Sequence, residues 1–261
     1  MKSSIPSDCT VPIELREFFG MNRHYGLAFS GGTDSTYLLY AAVQSGANIR
    51  VFTVKTEFQT EKEMERAIGI AESMGKTVEV IRLDIMDNGL ISSNGPDRCY
   101  HCKKSIFESI TKCARQYGIS IIIDGTNASD DDEDRPGMKA LSDLRIVSPL
   151  RSFGITKKMV RELSRRAGLE TWDLPSNSCL ATRIATGIGI TKEILGKTEK
   201  AESELSSVGF SDFRVRTTAD GARFEIAASQ SALLDSKKGL VEEILLKYYP
   251  AVSYSIREPR P

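Results

Sequence analysis

The stretch Ser30-Gly31-Gly32-Thr33-Asp34-Ser35-Thr36 follows the strand-like run Tyr25-Gly26-Leu27-Ala28-Phe29 and opens a helical stretch over 35–45. Its reading decides the fold. A strand that ends in a glycine pair and reopens as a helix is a cradle for phosphate. Gly31 and Gly32 let the backbone curl and bring its N–H groups close to an anion. The helix start, placed at Ser35 and Thr36, adds unpaired N–H donors and the positive end of the dipole. The hydroxyls of Ser30, Ser35 and Thr36 can donate as well. Asp34 is out of place beside phosphate unless a cation intervenes, which assigns it to Mg²⁺. A glycine pair alone is equally a tight strand–helix turn, so the argument rests on all seven residues in this setting. The Gly-Lys-Ser/Thr ending of a Walker A loop is missing.

Outward from this loop, β-rich runs alternate with helical ones. Strands are expected over 49–54, 77–85 and 119–123, and helices over 103–117 and from the capping-box spacing Thr60-Glu61-Lys62-Glu63 onward. Such alternation predicts an α/β fold with a parallel sheet covered on both faces. Asp124-Gly125-Thr126-Asn127 ends the last of these strands, where open α/β sheets bind ligands. After Pro149 the texture changes. Helices are expected over 156–167, 191–208 and 236–248, with a hairpin 213–218/222–227 turning on Asp220-Gly221. A boundary near residue 170 gives two domains, 1–170 and 171–261, the second a smaller α+β unit.

The composition is that of an ordinary globule: 261 residues, 40% hydrophobic and 27% charged. Lys plus Arg and Asp plus Glu both number 35, so the net charge is zero. Nucleic-acid binding is therefore not expected, because it ordinarily leaves a basic excess. No apolar run approaches the roughly 20 residues of a membrane span, and the first residues lack the apolar core of a signal peptide. The expected compartment is the cytoplasm, where five cysteines point to metal or thiol chemistry rather than disulfides. Cys9 falls in an expected tail, and Cys113 shares a helical stripe with Ile106, Ile110 and Tyr117, which predicts a buried core thiol. Cys99 and Cys102, in Arg98-Cys99-Tyr100-His101-Cys102-Lys103-Lys104, and Cys179, in Ser178-Cys179-Leu180-Ala181-Thr182-Arg183, are left for one site. Three thiolates can hold three irons of a [4Fe–4S] cluster, or zinc with a fourth ligand such as His101.

The loop resembles that of the PP-loop ATP pyrophosphatases, which release pyrophosphate and form adenylated intermediates on an adenine-nucleotide α-hydrolase-like sheet. That resemblance implies nucleotide contacts from Ser30, Gly31, Gly32, Asp34, Ser35, Thr36, Gly125 and Thr126. Taken with Arg135-Pro136-Gly137, Trp172-Asp173-Leu174-Pro175, the cysteine segments and Arg214-Val215-Arg216, the chain resembles the LarE sulfur transferases over nearly its whole length. LarE proteins adenylate pyridinium-3,5-biscarboxylic acid mononucleotide and convert its carboxylates to thiocarboxylates, for the nickel-pincer nucleotide. The resemblance implies ATP, Mg²⁺ and a [4Fe–4S] cluster on Cys99, Cys102 and Cys179, or else Cys179 as a sacrificial sulfur donor. It also implies Lys103 beside the cysteine site, Arg214 and Arg216 on the substrate phosphate, and Glu202 as a metal- or substrate-binding acid.

Hairpin alternation independently puts Arg214, Arg216, Arg223 and Glu225 on one face, with Arg216 expected across from Glu225 and Thr218 from Arg223. That face is equally read as a solvated one. Expected partners are a mononucleotide, sulfide or another sulfur donor, and further copies of the chain. The rival readings are a tRNA thiolase, which should be basic, and a non-catalytic nucleotide-binding or cluster-carrier module, which would not need Asp34.

Overall fold

In the computed structural model, residues 10–21, 23–130, 135–174 and 179–257 are described. Cys9, the acidic residues 131–134 and the segment 175–178 lie outside them. Two units account for the chain: Met1–Thr56 with Glu61–Leu83 and Cys99–Asn177, and Glu57–Thr60 with Asp84–Arg98 and Ser178–Pro261. The boundary read near residue 170 thus falls inside the first unit. Two segments that precede Cys99 in sequence group with the second.

The first unit is built on parallel strands β1 (His24–Ala28), β2 (Asn48–Lys55), β3 (Val78–Arg82) and β4 (Ile121–Ile123), in the order β3-β2-β1-β4. Side chains alternate across β2. Ile49 and Val51 join the core beneath α1 (Ile13–Gly20), α2 (Thr33–Gln44), α3 (Glu61–Ser73) and α8 (Lys157–Arg166). Phe52 and Val54 join the opposite core with Phe107 and Ile110 of α5 (Arg98–Arg115) and Leu141 of α6 (Arg135–Asp143). Burial on both faces is why these strands read as continuous apolar runs. Single turns α4 (Gly89–Ser92) and α7 (Pro149–Ser152) complete the helices before α8. The chain steps from β1 outward to β3 and returns on the far side of β1 as β4. The strand order therefore reverses between β1 and β4, and the loops following both strands flank the point where α/β sheets place ligands.

The second unit packs α9 (Lys192–Ser207) and α10 (Ser231–Leu246) on a three-stranded sheet of β5 (Phe213–Thr218), β6 (Gly221–Ala227) and β7 (Val252–Arg257). Its core face carries Val215, Ala222, Phe224 and Ile226. The hairpin register corrects the sequence reading. Arg216 stands opposite Arg223, Arg214 opposite Glu225 and Thr218 opposite Gly221, so the turn is Ala219-Asp220. Gly221 is not needed for a type I′ turn. It is needed because the chain entering β7 crosses it: a Cβ there would lie 2.3 Å from the Ala251 carbonyl oxygen, at φ +153°. Because the slip is two residues, the four charged side chains keep their common face. β7, α1 and α6 were not anticipated, and α10 begins five residues earlier than the pattern suggested.

Among the described residues, no helix is long and apolar enough to cross a membrane. Cys113 is half-buried against the β4-side core rather than fully buried.

Candidate active site

Helix α2 begins at Thr33, two residues before the expected start. Its N-cap is Gly32, which has no side chain to bond the first-turn N–H groups, so these are left for a ligand. The Thr36 N–H closes the first helical bond onto Gly32 (3.0 Å), so Thr36 can offer only its hydroxyl. That hydroxyl is buried and has no hydrogen-bond partner, an uncommon state that an anion would relieve. Ser30 Oγ and Ser35 Oγ bond each other at 3.1 Å and are placed to turn toward an incoming oxygen.

Two glycines shape the cradle. Gly31 has φ +68°, and a Cβ there would lie 2.7 Å from the Ala67 Cα of α3. Gly125, after β4, lies against α2: a Cβ would stand 2.8 Å from the Ser35 nitrogen. Glycine at 31 therefore permits the pyrophosphate loop to pack on α3, and glycine at 125 permits the post-β4 loop to pack on the start of α2. Gly125→Ala is expected to weaken ATP binding about tenfold or more by forcing the loops apart. Equilibrium dialysis with ATP checks this, and unchanged affinity would show that the approach is not required.

Asp34 lies on the first turn of α2. Burial raises its carboxyl above the ordinary aspartate value, while the charge and hydrogen bond of Lys157 oppose the shift. Lys157 Nζ is 2.6 Å from Asp34 Oδ2, and Asn127 Nδ2 donates to Oδ1 at 3.4 Å. Lys157 was missed in the sequence, because 123 positions separate it from Asp34 and its helix-start setting resembles any surface lysine. Asp130 is close enough to raise Asp34 further by like charge, and its Oδ2 accepts the Asn127 N–H at 2.8 Å. One or two carboxylates facing substrate phosphates is the donor set Mg²⁺ ordinarily takes, so Asp34 and Asp130 fit that ion. Beside them, Asp124 is pushed up by burial, against hydrogen bonds from Ser148 (2.6 Å) and Thr126 (2.5 Å) and the charge of half-buried Lys103.

Cys99 and Cys102 lie three residues apart on α5 and so share a face; both are half-buried. Cys179, also half-buried, is in the second unit. Among the described residues no group of three His, Cys, Asp or Glu side chains is gathered to hold a metal.

The second unit holds an arginine-lined cavity of its own. A cavity of about 280 Å³ is lined by Arg98, Arg216 and Arg223 with Thr182, Thr186 and Thr218. Arg216 and Arg223 oppose each other across the hairpin, which is unfavourable unless negative charge intervenes. Glu225 supplies one such charge, accepting from Arg216 Nε at 2.5 Å and Arg223 Nε at 3.0 Å. Burial raises its carboxyl, but the two guanidiniums outweigh that and hold it below the ordinary glutamate value. Three arginines against one carboxylate leave the cavity net positive. Arg214 is buried on the same hairpin face. Glu202 accepts from Arg183 Nε at 2.8 Å and from the Val215 N–H at 2.9 Å, and so braces this wall. Arg98 was not singled out as a ligand residue from sequence; it comes to the cavity from a segment 84 residues before Thr182. Cys179 is tied to the same wall: its carbonyl accepts from Thr182 Oγ1 at 2.7 Å, and the Thr182 carbonyl accepts from Arg216 at 2.7 Å.

A parallel sheet, a glycine-shaped anion loop at its switch point and a carboxylate placed for a cation define an ATP-dependent enzyme of the PP-loop class. Residues 27–96 match the family model described as queuosine biosynthesis protein QueC. The chain is 32% identical over 202 residues to the pyridinium-3,5-bisthiocarboxylic acid mononucleotide synthase of Lactiplantibacillus plantarum, covering 77% of this chain and 73% of that one. It is 34% identical to an uncharacterized protein of Synechocystis, covering 83% and 81%. An uncharacterized protein of Methanocaldococcus jannaschii is 33% identical, covering 90% and 88%. The chain belongs to the LarE family of ATP-dependent sulfur transferases.

Proposed function

We propose that the protein adenylates the carboxylates of pyridinium-3,5-biscarboxylic acid mononucleotide and converts them to thiocarboxylates. The observation that carries this reading is the arginine-lined cavity joined through Thr182 to Cys179. A net positive cavity suits the phosphate of a mononucleotide, and the arginine fork suits it better than a lysine point charge would.

A carboxylate oxygen is a poor leaving group. Attack of that oxygen on the α-phosphorus of ATP forms the acyl adenylate and expels pyrophosphate. A sulfur nucleophile then adds to the acyl carbon, and the tetrahedral intermediate collapses with loss of AMP. The first-turn N–H groups of α2 and the hydroxyls of Ser30, Ser35 and Thr36 bind the pyrophosphate. Asp34 and Asp130 would hold Mg²⁺, which when bound neutralises charge on the departing pyrophosphate. Lys103, on the cysteine helix α5 and near Asp124, supplies positive charge there. The three-cysteine pattern supports sulfur relay by a [4Fe–4S] cluster, with direct donation from Cys179 as the alternative.

Arg216→Ala is expected to weaken mononucleotide binding at least tenfold while changing ATP affinity little. Calorimetric titration with each ligand measures both. Equal loss for the two ligands would overturn the phosphate assignment. Retention of bulk tRNA by the wild-type chain, weakening as salt rises, would favour the tRNA thiolase reading instead.

A further inference from the structure

Lys157 occupies the first position of α8, where a cation opposes the helix dipole. Helix stability therefore does not explain it. The N-cap Thr156 already provides the local cap, accepting from Met159 N at 3.3 Å. What Lys157 does contact lies at the sheet's switch point. Its backbone N–H donates to Ser129 Oγ (3.1 Å), Ser129 N–H to Asn127 Oδ1 (2.8 Å), and Asn127 Nδ2 to Asp34. The Ala128 N–H donates to the Ile155 carbonyl (2.9 Å), which fixes the post-β4 loop to the residue two before the lysine. The ammonium is thus held over Asp34 by a hydrogen-bonded frame, and both side chains remain about a quarter exposed (29% and 23%). A flexible four-carbon stem with partial solvent access can move its charge by several ångströms without disturbing that frame.

We propose that Lys157 is the resident counter-cation of the pyrophosphate loop, exchanging Asp34 for a phosphate oxygen when the divalent cation and ATP bind. This rests on the adenylation reading above and adds a residue and an order of events to it. In the unliganded chain Lys157 neutralises a carboxylate that burial makes costly to charge. When Asp34 turns to the divalent cation, the freed ammonium lies beside the anion cradle. It then balances negative charge on the leaving pyrophosphate. One cation leaves Asp34 as another arrives, and the lysine meets the anion that entered with it.

The proposal requires two effects of opposite sign from one substitution. Lys157→Met should bind Mn²⁺ alone about tenfold more tightly, read by electron paramagnetic resonance of the unbound ion, because no resident cation competes for Asp34. The same variant should bind inorganic pyrophosphate, at saturating Mg²⁺, about tenfold more weakly by calorimetry. Lys157→Arg, which keeps the charge, should restore weak Mn²⁺ binding. Losses in both measurements, or no change in either, overturn the proposal, since a purely structural lysine would give one of those results. Should Lys157→Met not fold, the wild-type chain decides. Reductive methylation mapped by mass spectrometry should show Lys157 protected alone, more reactive with Mg²⁺, and protected again with Mg²⁺ and pyrophosphate. Reactivity that does not change in this order overturns it as well. A wild-type chain that binds neither MgATP nor pyrophosphate would instead remove the adenylation reading itself.

Discussion

Asp34→Ala is expected to lower ATP-dependent pyrophosphate release by at least about a hundredfold, the scale of losing one electrostatic contact to a developing charge. The carboxylate stands on the first turn of α2, where the helix dipole favours its charge and Lys157 pairs with it, while burial opposes charging it. Without it, a divalent cation loses its anchor and Lys157 loses its partner. Bound pyrophosphate is then held by the loop's hydrogen bonds and by Lys157, without the divalent cation that Asp34 would hold. Thermal stability should fall little or rise, because burial already disfavours the charged carboxyl. The measurement is pyrophosphate production at saturating Mg²⁺, paired with a melting curve. Near-normal release would mean that the carboxylate serves the loop's structure and not its chemistry.

Cys179→Ala is expected to abolish thiocarboxylate formation while pyrophosphate release stays within a few-fold of the wild type. Cys179 belongs to the second unit, where its carbonyl accepts from Thr182 of the cavity lining, whereas the ATP loop belongs wholly to the first. Two further results separate the modes of sulfur delivery. If Cys179 gives up its own sulfur by β-elimination, each chain acts once and its mass falls by about 34 Da as dehydroalanine forms. If Cys99 and Cys102 join it in holding a cluster, Cys99→Ala should be as inactive as Cys179→Ala. Anaerobically reconstituted protein should then contain iron and sulfide, and turn over repeatedly when sulfide is supplied. Product that stops near one per chain, with Cys99→Ala still active, removes the cluster. Persistent thiocarboxylate formation by Cys179→Ala would remove Cys179 from sulfur delivery altogether.

The glycine loop was legible because its chemistry is local. The seven residues of the loop itself are consecutive, and the flanking strand and helix have clear periods. The alternating first unit followed for the same reason. Lys157 and Arg98 were hidden because nothing in their own neighbourhoods distinguishes them; only the fold brings them to Asp34 and to the cavity. The hairpin shows a subtler limit. Asp220-Gly221 carries a strong turn preference, yet the glycine answers to Ala251, a neighbour thirty residues away. A turn rule sees only local dihedrals and cannot register that crowding. Strand β7 alternates apolar and polar residues over Val252-Ser253-Tyr254-Ser255-Ile256-Arg257 and was overlooked although that signal was present. It is placed by pairing parallel to β6, a long-range event.

The second unit draws on two segments, Glu57–Thr60 and Asp84–Arg98, that lie between stretches of the first unit in sequence. Asn94 from the latter donates to the carbonyls of Ile184, Ala185 and Ile188, and Arg98 donates to that of Ala181. A single proteolytic cut near residue 178 therefore cannot release this unit whole: the C-terminal fragment would leave behind the side chains that satisfy its own buried backbone. The same interleaving constrains evolution by gene fusion. A cavity-bearing module of this kind cannot be appended to, or shed from, an ATP-binding ancestor by one recombination event, because its framework is threaded through the loops that follow β2 and β3.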